Sequence, residues 1–149
     1  MTEIVPGRLV LGSFEESFDA EGVLQKYGVT HVLNVAEECD VAGDERVGLE
    51  YRKYGMRDDD DDEDIRGVLQ LCHVYLEEKR NSGGDTVVMV HCLEGVSRSA
   101  CVVAWHLSMT EDRDFDDVMD SLRRLRPVVD PFPEYVRQAR EFLATLQVS

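Results

Sequence analysis

The stretch VVMVHCLEGVSRSACVV, Val87–Val103, joins an apolar strand to an apolar helix through a short turn. The run at its start has the continuous apolar character of a strand buried on both faces, and the segment after Arg98 is apolar enough for a central helix. Gly95 lets the turn curl tightly, because no Cβ stands in the way. Backbone N–H groups of such a turn can point towards one centre, where the N-terminus of the following helix adds partial positive charge. This pattern predicts a cradle for a phosphate dianion.

The side chains in and beside this turn predict chemistry. Arg98 offers a planar fork that binds two phosphate oxygens, a geometry that lysine lacks. Cys92 lies at the floor of the cradle, where the same donors should lower the pKa of its thiol and make a thiolate nucleophile. Ser99 can donate a hydrogen bond to that sulfur, and we expect His91 to orient the loop rather than to act as a base. A buried structural thiol is the alternative for Cys92, but Gly95 and Arg98 favour catalysis.

Upstream of this segment the pattern alternates between strand and helix. A hairpin is predicted about Pro6-Gly7, followed by an amphipathic helix in SFDAEGVLQKYG that stops at Gly28. VTHVLNVA reads as a buried strand and LEYRKYGM as a more exposed one. A helix is then predicted from Ile65 to the breaker Asn81–Gly84.

Two further helices are predicted downstream. The first has Asp114 as its N-cap and Pro127 as its stop, and the second lies in PFPEYVRQAREFLATLQ. Alternating strands and helices predict an α/β fold with a central, mostly parallel but mixed sheet of about five strands and helices on both faces. The phosphate-binding loop would lie between the last core strand and the central helix.

The composition limits which ligands are expected. With 149 residues, 43% of them hydrophobic, the chain is long enough for one well-packed domain. The formal charge of -15 repels polyanions, so neither nucleic acid nor a membrane surface is an expected partner. There is no membrane-spanning apolar run and no leader pattern, which predicts a cytoplasmic chain with entry to the nucleus left open.

The cysteines and histidines show neither paired CxxC spacing nor the density of a disulfide scaffold. Besides the residues of the turn they are Cys39, Cys72, Cys101, His31, His73 and His106. We therefore expect reduced thiols, no metal and no cofactor. Cys101 is expected in the core, while Cys39 or Cys72 is a candidate for a protective disulfide with Cys92 on oxidation.

The segment HCLEGVSRSA, residues 91–100, matches the HCxxGxxR(S/T) signature of the cysteine-dependent protein phosphatases at every fixed position. Across most of its length the chain resembles their dual-specificity subgroup. VPGRLVLGS is similar to the opening hairpin of that subgroup, YGVTHVLNVA to its first core strand and EYVRQAREF to its closing helix. The resemblance implies one catalytic domain over residues 1–149. Its implied substrates are proteins carrying phosphotyrosine, phosphoserine or phosphothreonine, including kinases phosphorylated on both threonine and tyrosine.

The resemblance also implies a double displacement. Cys92 attacks phosphorus, Arg98 and the loop amides stabilise the transferring group, and a carboxylic acid protonates the leaving oxygen. Water then releases phosphate from the cysteinyl phosphate, with Ser99 helping the thiolate to leave. The residues expected to bind phosphate are Leu93, Glu94, Gly95, Val96, Ser97 and Arg98.

The implied acid comes from the loop after LEYRKYGM, where five aspartates, Asp58–Asp62, follow one another. Counted forward from Tyr51, the family spacing reaches Asp58, whereas counted back from Ile65 it reaches Asp59. We prefer Asp58, because the strand is held in the sheet while a loop can absorb an inserted residue. Neighbouring carboxylates would raise the pKa of whichever aspartate points inward. The other aspartates are expected to be solvated.

Two other functions remain open at this stage. One is phosphatase action on a phosphoinositide or an RNA 5′ end, although relatives with such substrates often carry lysines in the loop and this loop has none. The other is phosphopeptide binding without catalysis, because Phe132 stands where many family members have an asparagine. Among Arg123, Arg124 and Arg126, which otherwise solvate their helix, Arg124 is the best candidate for binding a second phosphate.

Overall fold

The computed structural model describes residues 1–18, 24–40 and 49–147. Within these residues one sheet is formed by the strands β1 (Thr2–Val5), β2 (Leu9–Gly12), β3 (His31–Ala36), β4 (Glu50–Met56) and β5 (Val88–His91). Their order across the sheet is β1-β2-β5-β3-β4. The first pair is antiparallel, and all other neighbours are parallel. The predicted mixed, mostly parallel sheet is therefore confirmed.

The helices follow the predicted pattern. They are α1 (Gln25–Tyr27), α2 (Arg66–Asn81), α3 (Arg98–Glu111), α4 (Phe115–Leu125) and α5 (Pro133–Gln147). The predicted N-cap is confirmed at Asp114, and α4 ends two residues before Pro127. In the parts of the chain that the structure describes, no helix is both long and apolar enough to cross a membrane.

The helix predicted in SFDAEGVLQKYG is described only at its two ends, because residues 19–23 lie outside the described ranges. Its first end is a 3₁₀ turn, Glu16–Phe18, and its second is the single turn α1. Gly28 ends α1 with a φ of 68°, a left-handed conformation that glycine adopts without steric cost. The predicted stop at Gly28 is confirmed.

Alternating side chains of β2, β3 and β5 build apolar layers on both faces of the sheet. In β5, for example, Val88 and Val90 join the layer that packs with α2–α5, while Met89 joins the opposite layer. Trp105 of α3 is almost fully buried in the larger layer and stacks on Phe142 of α5, with ring centroids 5.2 Å apart. The described helices thus cover the two faces unequally, with α1 on the face opposite α2–α5.

The parallel strands bring two functional segments to one edge of the sheet. β5 ends at His91, directly before Cys92, and β4 ends at Met56, two residues before the first aspartate, Asp58. Because the carboxyl ends of parallel strands meet at the same edge, the two following loops face each other there. The fold therefore places the predicted nucleophile and the predicted acid at the same end of the sheet.

The cap of α4 yields a test of local stability. The Asp114 carboxylate accepts hydrogen bonds from the N–H groups of Asp116 at 2.9 Å and Asp117 at 3.2 Å. Asp114→Ala removes this acceptor and should lower the free energy of unfolding by about 1 kcal/mol, measured by urea denaturation. Asp120→Ala in the same helix removes only an exposed pairing with Arg123 and should change it by less than about 0.5 kcal/mol. Equal losses at both positions would contradict the capping role.

Candidate active site

The turn between β5 and α3, residues 92–98, is held from outside by its carbonyl groups, and we call it the phosphate loop. All five carbonyl oxygens of residues 93–97 accept hydrogen bonds from beyond the turn. The donors are the backbone N–H groups of Phe14, Asp130 and Cys101 and the guanidinium group of Arg126. Because a planar trans peptide directs its C=O and N–H to opposite sides, outward carbonyls leave the N–H groups turned inward. This is the arrangement that a phosphate dianion needs.

Gly95 is required by the shape of the phosphate loop. Its φ is 71°, and a Cβ added there would lie 2.6 Å from the carbonyl oxygen of Gly12 and 2.7 Å from Nη2 of Arg126. Neither contact can be relieved cheaply, since the first is with backbone and the second is with the side chain that holds the loop. Only glycine fits both the dihedral angle and the space.

Arg126 supports the phosphate loop, a role that sequence reasoning missed. Its Nε donates to the carbonyl oxygen of Gly95 at 2.9 Å and its Nη1 to the hydroxyl of Thr2 at 3.0 Å. The side chain is only 12% exposed, so it does not simply solvate α4. Arg124, the best candidate for binding a second phosphate, instead lines a separate pocket that also contains aspartates, which makes anion binding unfavourable there.

Cys92 has the environment of a reactive thiol. It is 3% exposed, and its Sγ lies 3.1 Å from Oγ of Ser99. Burial alone would raise the pKa of the Cys92 thiol. The hydrogen bonds from the Ser99 hydroxyl and from the N–H groups of Ser99 and Gly95, together with the charge of Arg98, outweigh burial and lower that pKa below its ordinary value.

His91 connects the phosphate loop to the chain before it. The imidazole is fully buried, and its Nδ1 donates to the carbonyl oxygen of Cys92 at 2.9 Å. Its ring stacks on Phe14 with centroids 5.7 Å apart, and the N–H of Phe14 holds the carbonyl of Leu93. His91 therefore lies where an orienting residue is expected, with Nδ1 bound to the backbone of the nucleophile.

Arg98 is buried at the start of α3 and is held by Glu38, a residue that sequence reasoning missed. The Glu38 carboxylate accepts from Nη1 and Nη2 of Arg98, each at 2.5 Å, and the Met56 carbonyl accepts from Nη1 at 2.9 Å. The hydrogen bond to Arg98 is also the main reason that the pKa of Glu38 is lowered. These contacts leave Nε–H and one Nη2–H along a single edge of the guanidinium, which is the edge that can bind two phosphate oxygens.

Asp58 and Asp59 both face the phosphate loop across a cavity of about 400 Å³. The Asp58 carboxylate is 55% exposed and lies 3.7 Å from Nε of Arg98. Asp59 has a φ of 47°. Burial, and next the neighbouring charge of Asp58, raise the pKa of the Asp59 carboxyl, which favours a proton donor. The structure thus brings both predicted candidates to the site, and each has one property that the acid needs.

The acidic loop, residues 57–64, is anchored to α5 by Tyr135. The Tyr135 hydroxyl donates to the carbonyl oxygen of Arg57 at 2.5 Å and accepts from the N–H of Asp60 at 3.2 Å. Asp60 in turn accepts from the N–H of Asp62 at 2.9 Å, and this hydrogen bond is the main cause of the lowered pKa of Asp60. Asp60 is therefore part of the frame of the loop and is not merely solvated.

Phe132 contributes its backbone to the site. Its N–H donates to Oγ of Ser97 at 2.9 Å, and its ring packs edge-on against Tyr135 with centroids 5.0 Å apart. The phosphate loop is therefore tied to the segment before α5 by main-chain donors of residues 130 and 132. This tether does not depend on an amide side chain at position 132.

No histidine lines the cavity that contains Cys92. Among the described residues, a group that could hold a metal ion lies elsewhere, where His73, Glu77 and His106 form a cluster between α2 and α3. Burial lowers the pKa of His106 to about 4, and burial also lowers the pKa of His73. The short spacing between these histidines arises from helix packing and is not visible in the sequence.

Comparison with known families gives one that fits this geometry. The family described as "Dual specificity phosphatase, catalytic domain" matches residues 9–144. The chain belongs to this family. The predicted resemblance is thereby confirmed over nearly the whole chain.

Relatives within the dual specificity phosphatase family are about a third identical to this chain over the aligned residues. Dual specificity protein phosphatase Mpk3 of Drosophila melanogaster is 32% identical over 146 residues, which are 98% of this chain and 34% of that protein. Dual specificity protein phosphatase 19 of Mus musculus is 32% identical over 136 residues, 90% of this chain and 58% of that protein. The crystal structure of DUSP15 matches with a TM-score of 0.86 at 26% identity, over 99% of this chain and 90% of that chain. The chain thus spans less than two thirds of the two curated relatives.

Gly95 and Gly7 form a matched pair for testing the phosphate loop of this dual specificity phosphatase domain. Both have a φ of 71°, but a Cβ at Gly7 would meet no atom within 4 Å. Gly95→Ala should displace the loop N–H groups and so raise the pKa of Cys92, measured from the pH dependence of its alkylation by iodoacetamide. Gly7→Ala should lose a similar stability of about 1 kcal/mol from its dihedral angle and leave that pKa unchanged. A pKa of Cys92 that is unchanged in Gly95→Ala would contradict the cradle.

Proposed function

We propose that this chain is a protein phosphatase that hydrolyses phosphotyrosine, phosphoserine and phosphothreonine through a cysteinyl-phosphate intermediate. The observation that carries the proposal is the Cys92 thiol with a lowered pKa at the floor of a loop whose N–H groups face inward. A buried structural cysteine shows the opposite shift, as burial raises the pKa of Cys101 to about 12. The contrast between the two cysteines supports a nucleophile at position 92.

The first chemical step transfers the phosphoryl group to sulfur. The Cys92 thiolate attacks phosphorus in line, so that the S–P bond forms while the P–O bond to the substrate breaks. The acid, Asp58 or Asp59, gives its proton to the leaving oxygen. Inward N–H groups and the free edge of Arg98 stabilise the charge on the transferring oxygens.

The second step returns the enzyme to its starting state. Water attacks phosphorus, the S–P bond breaks, and the aspartate that lost its proton accepts one from the water. Inorganic phosphate leaves and the Cys92 thiolate is restored. Ser99, 3.1 Å from the sulfur, stabilises the departing thiolate with its hydroxyl hydrogen.

Glu38 prepares Arg98 for both steps. A planar guanidinium held on one edge by a carboxylate keeps its other edge in a fixed orientation, which lowers the entropy lost on binding phosphate. The negative charge of Glu38, whose side chain is 44% exposed, also partly balances the charge of the buried Arg98. We assign Glu38 a positioning role.

The charges around the cavity favour a singly phosphorylated side chain over a polyanion. Carboxylates of Asp58, Asp59, Glu94 and Asp130 line the cavity, and Arg98 is the one basic residue among the lining that the structure describes. A phosphoinositide headgroup or an RNA 5′ end would bring further phosphates against these carboxylates. Phosphorylated proteins are therefore the proposed substrates, and kinases phosphorylated on threonine and tyrosine are candidates among them.

Several expectations stay predictions. Cytoplasmic location is supported by a thiol nucleophile and by four free cysteines, which suit a reducing compartment. The single-domain organisation over residues 1–149 remains an expectation from chain length and family resemblance. The absence of nucleic acid and membrane partners remains an expectation from the formal charge of -15.

Loss of the nucleophile tests the proposed function. The purified chain should release phosphate from phosphotyrosine and phosphothreonine peptides, and Cys92→Ser should lower kcat by more than about 10³-fold, measured by phosphate release. Cys72→Ala removes a buried, inert thiol from α2 and should keep the wild-type activity. Hydrolysis retained in Cys92→Ser would show that the mechanism is wrong.

The same assay separates the alternatives. A phosphoinositide or a 5′-triphosphorylated RNA hydrolysed faster than a doubly phosphorylated peptide would redirect the substrate assignment. Rapid-quench measurements distinguish an enzyme from a phosphopeptide-binding protein, because an enzyme shows thiol phosphorylation followed by turnover. Tight peptide binding with no phosphate release would identify a binding protein instead.

Substitution of each aspartate separately identifies the acid. Activity requires the acid in its protonated form, so it falls as pH rises through the pKa of that group, and Asp→Asn removes this basic limb of the pH–rate profile. We expect Asp58→Asn to remove the limb and to lower kcat by about 10²- to 10⁴-fold. Asp59→Asn should retain it, and asparagine tolerates the positive φ at position 59.

Loss of the basic limb in Asp59→Asn but not in Asp58→Asn would assign the acid role to Asp59. Because the pKa of Asp59 is raised, activity would then be lost at a higher pH than for an aspartate of ordinary pKa. A limb retained in both single variants and lost in the double variant would show that the neighbours substitute for each other. A limb retained in the double variant would exclude both residues as the acid.

A further inference from the structure

His73, Glu77 and His106 form a cluster outside the catalytic cavity. His73 and Glu77 lie one turn apart on α2, and His106 lies on the adjacent α3. The Nδ1 atoms of the two histidines are 2.9 Å apart, and one ligand atom from each of the three residues lies within 4.8 Å of the others. Among the described residues, this is the one group of histidine, cysteine or carboxylate side chains close enough to share a metal ion.

We propose that these three side chains bind one Zn²⁺ ion that joins α2 to α3. Two imidazole nitrogens and a carboxylate oxygen are zinc ligands, and water would complete a tetrahedral site. Zn–N bonds of about 2.0–2.1 Å place two ligand nitrogens about 3.3 Å apart in a tetrahedron. The histidines need to separate by only a few tenths of an ångström from their present 2.9 Å.

Neighbouring side chains already orient the Glu77 carboxylate, and one of them, Arg80, is the group that a metal ion would displace. Thr110 donates its hydroxyl to Oε1 of Glu77 at 2.8 Å, which restrains the carboxylate as an outer partner of a metal ligand does. Arg80 contacts both carboxylate oxygens, at 3.0 and 3.1 Å. Because Arg80 is 46% exposed, releasing it into water costs little, and a divalent cation can replace it.

The cluster borders a cavity through His106. This cavity of about 450 Å³ lies beside β2 and α2, and its lining includes Thr110 and the basic residues Arg8, Lys79 and Arg80. On the other side, the His73 ring packs edge-on against Trp105 with centroids 5.7 Å apart, which restricts its rotation. Access from one side and restraint from the other are properties of a metal site that forms in the folded chain.

The ion would have a structural role. α2 begins directly after the acidic loop, and α3 begins at Arg98, so a link between these helices would stabilise the frame of the active site. His106 lies eight residues beyond Arg98 on α3, about 12 Å along the helix. The zinc site therefore takes no part in the proposed phosphoryl transfer, and its test does not depend on that proposal.

Zinc titration of a catalytically silent variant tests the site. Cys92→Ser removes the reactive thiolate, and calorimetric titration of this variant with ZnCl₂ should show one bound ion per chain. In the same background, Glu77→Gln should weaken binding by at least about tenfold. Arg80→Gln should tighten it by about threefold, because it removes a competing positive charge. A gain in affinity cannot come from misfolding, and circular dichroism checks that Glu77→Gln is folded.

His31→Ala is the matched histidine control, since His31 pairs with Glu50 outside the cluster. It should leave the zinc affinity unchanged. Co²⁺ added to Cys92→Ser should give the visible spectrum of nitrogen and oxygen ligation, without a thiolate charge-transfer band. Absence of binding, or an affinity unaffected by both Glu77→Gln and Arg80→Gln, would show that the histidines form only a hydrogen-bonded pair. A thiolate band would place the ion on a cysteine and overturn the proposal.

Discussion

Every carbonyl oxygen from residue 93 to residue 97 accepts a hydrogen bond from outside the phosphate loop, and the active site depends on this constraint. If these peptides turned over, carbonyl dipoles would face the ligand, repelling phosphate and raising the pKa of the Cys92 thiol. The donors come from the residues after β2, the end of α4, the segment before α5 and the first turn of α3. Much of the domain therefore serves to hold five peptide groups in one orientation. Because the donors pack closely around the loop, no room is left for a side chain at Gly95.

The phosphate loop is built for an anion although the chain carries a formal charge of -15. The net charge does not prevent anion binding, because the net charge and the hydrogen bonds of the loop act over different distances. The net charge produces a long-range field that is screened within about 8 to 10 Å in salt, whereas the loop N–H groups and Arg98 act by direct hydrogen bonds. Glu38 and the carboxylates around the cavity further limit the local positive charge. The site is thus suited to one phosphate group presented by a side chain, and the carboxylates in the cavity disfavour a single small group that carries several phosphates.

Features that depend on residues near each other in the chain were predicted correctly. The strand, turn and helix around Cys92, the cap at Asp114 and the stop at Gly28 all follow from local hydrophobic pattern and turn chemistry. The features that were missed join distant positions. Glu38 is 60 residues from Arg98, Arg126 is 31 residues from Gly95, and Tyr135 is 75 residues from Asp60. Their side chains carry no local signal of these partners, because each contact depends on how the helices and loops pack against the sheet.

The acidic run, Asp58–Asp62, shows which properties the local sequence determines and which the tertiary packing determines. The composition of the run placed several carboxylates near the cavity, and the family spacing narrowed the acid to Asp58 or Asp59. Packing then gave neighbouring aspartates different surroundings: Asp58 lies near Arg98, Asp59 has a left-handed backbone, and Asp60 lies within the hydrogen bonds of the loop itself. The histidines of α2 and α3 follow the same rule, since their 33-residue separation becomes 2.9 Å between ring nitrogens. The local sequence determines which side chains and which helices or strands are available, because helix and strand propensity and side-chain reactivity are properties of short segments. Packing sets which of them meet, because a hydrogen bond or an ion pair requires atoms to lie within a few ångströms.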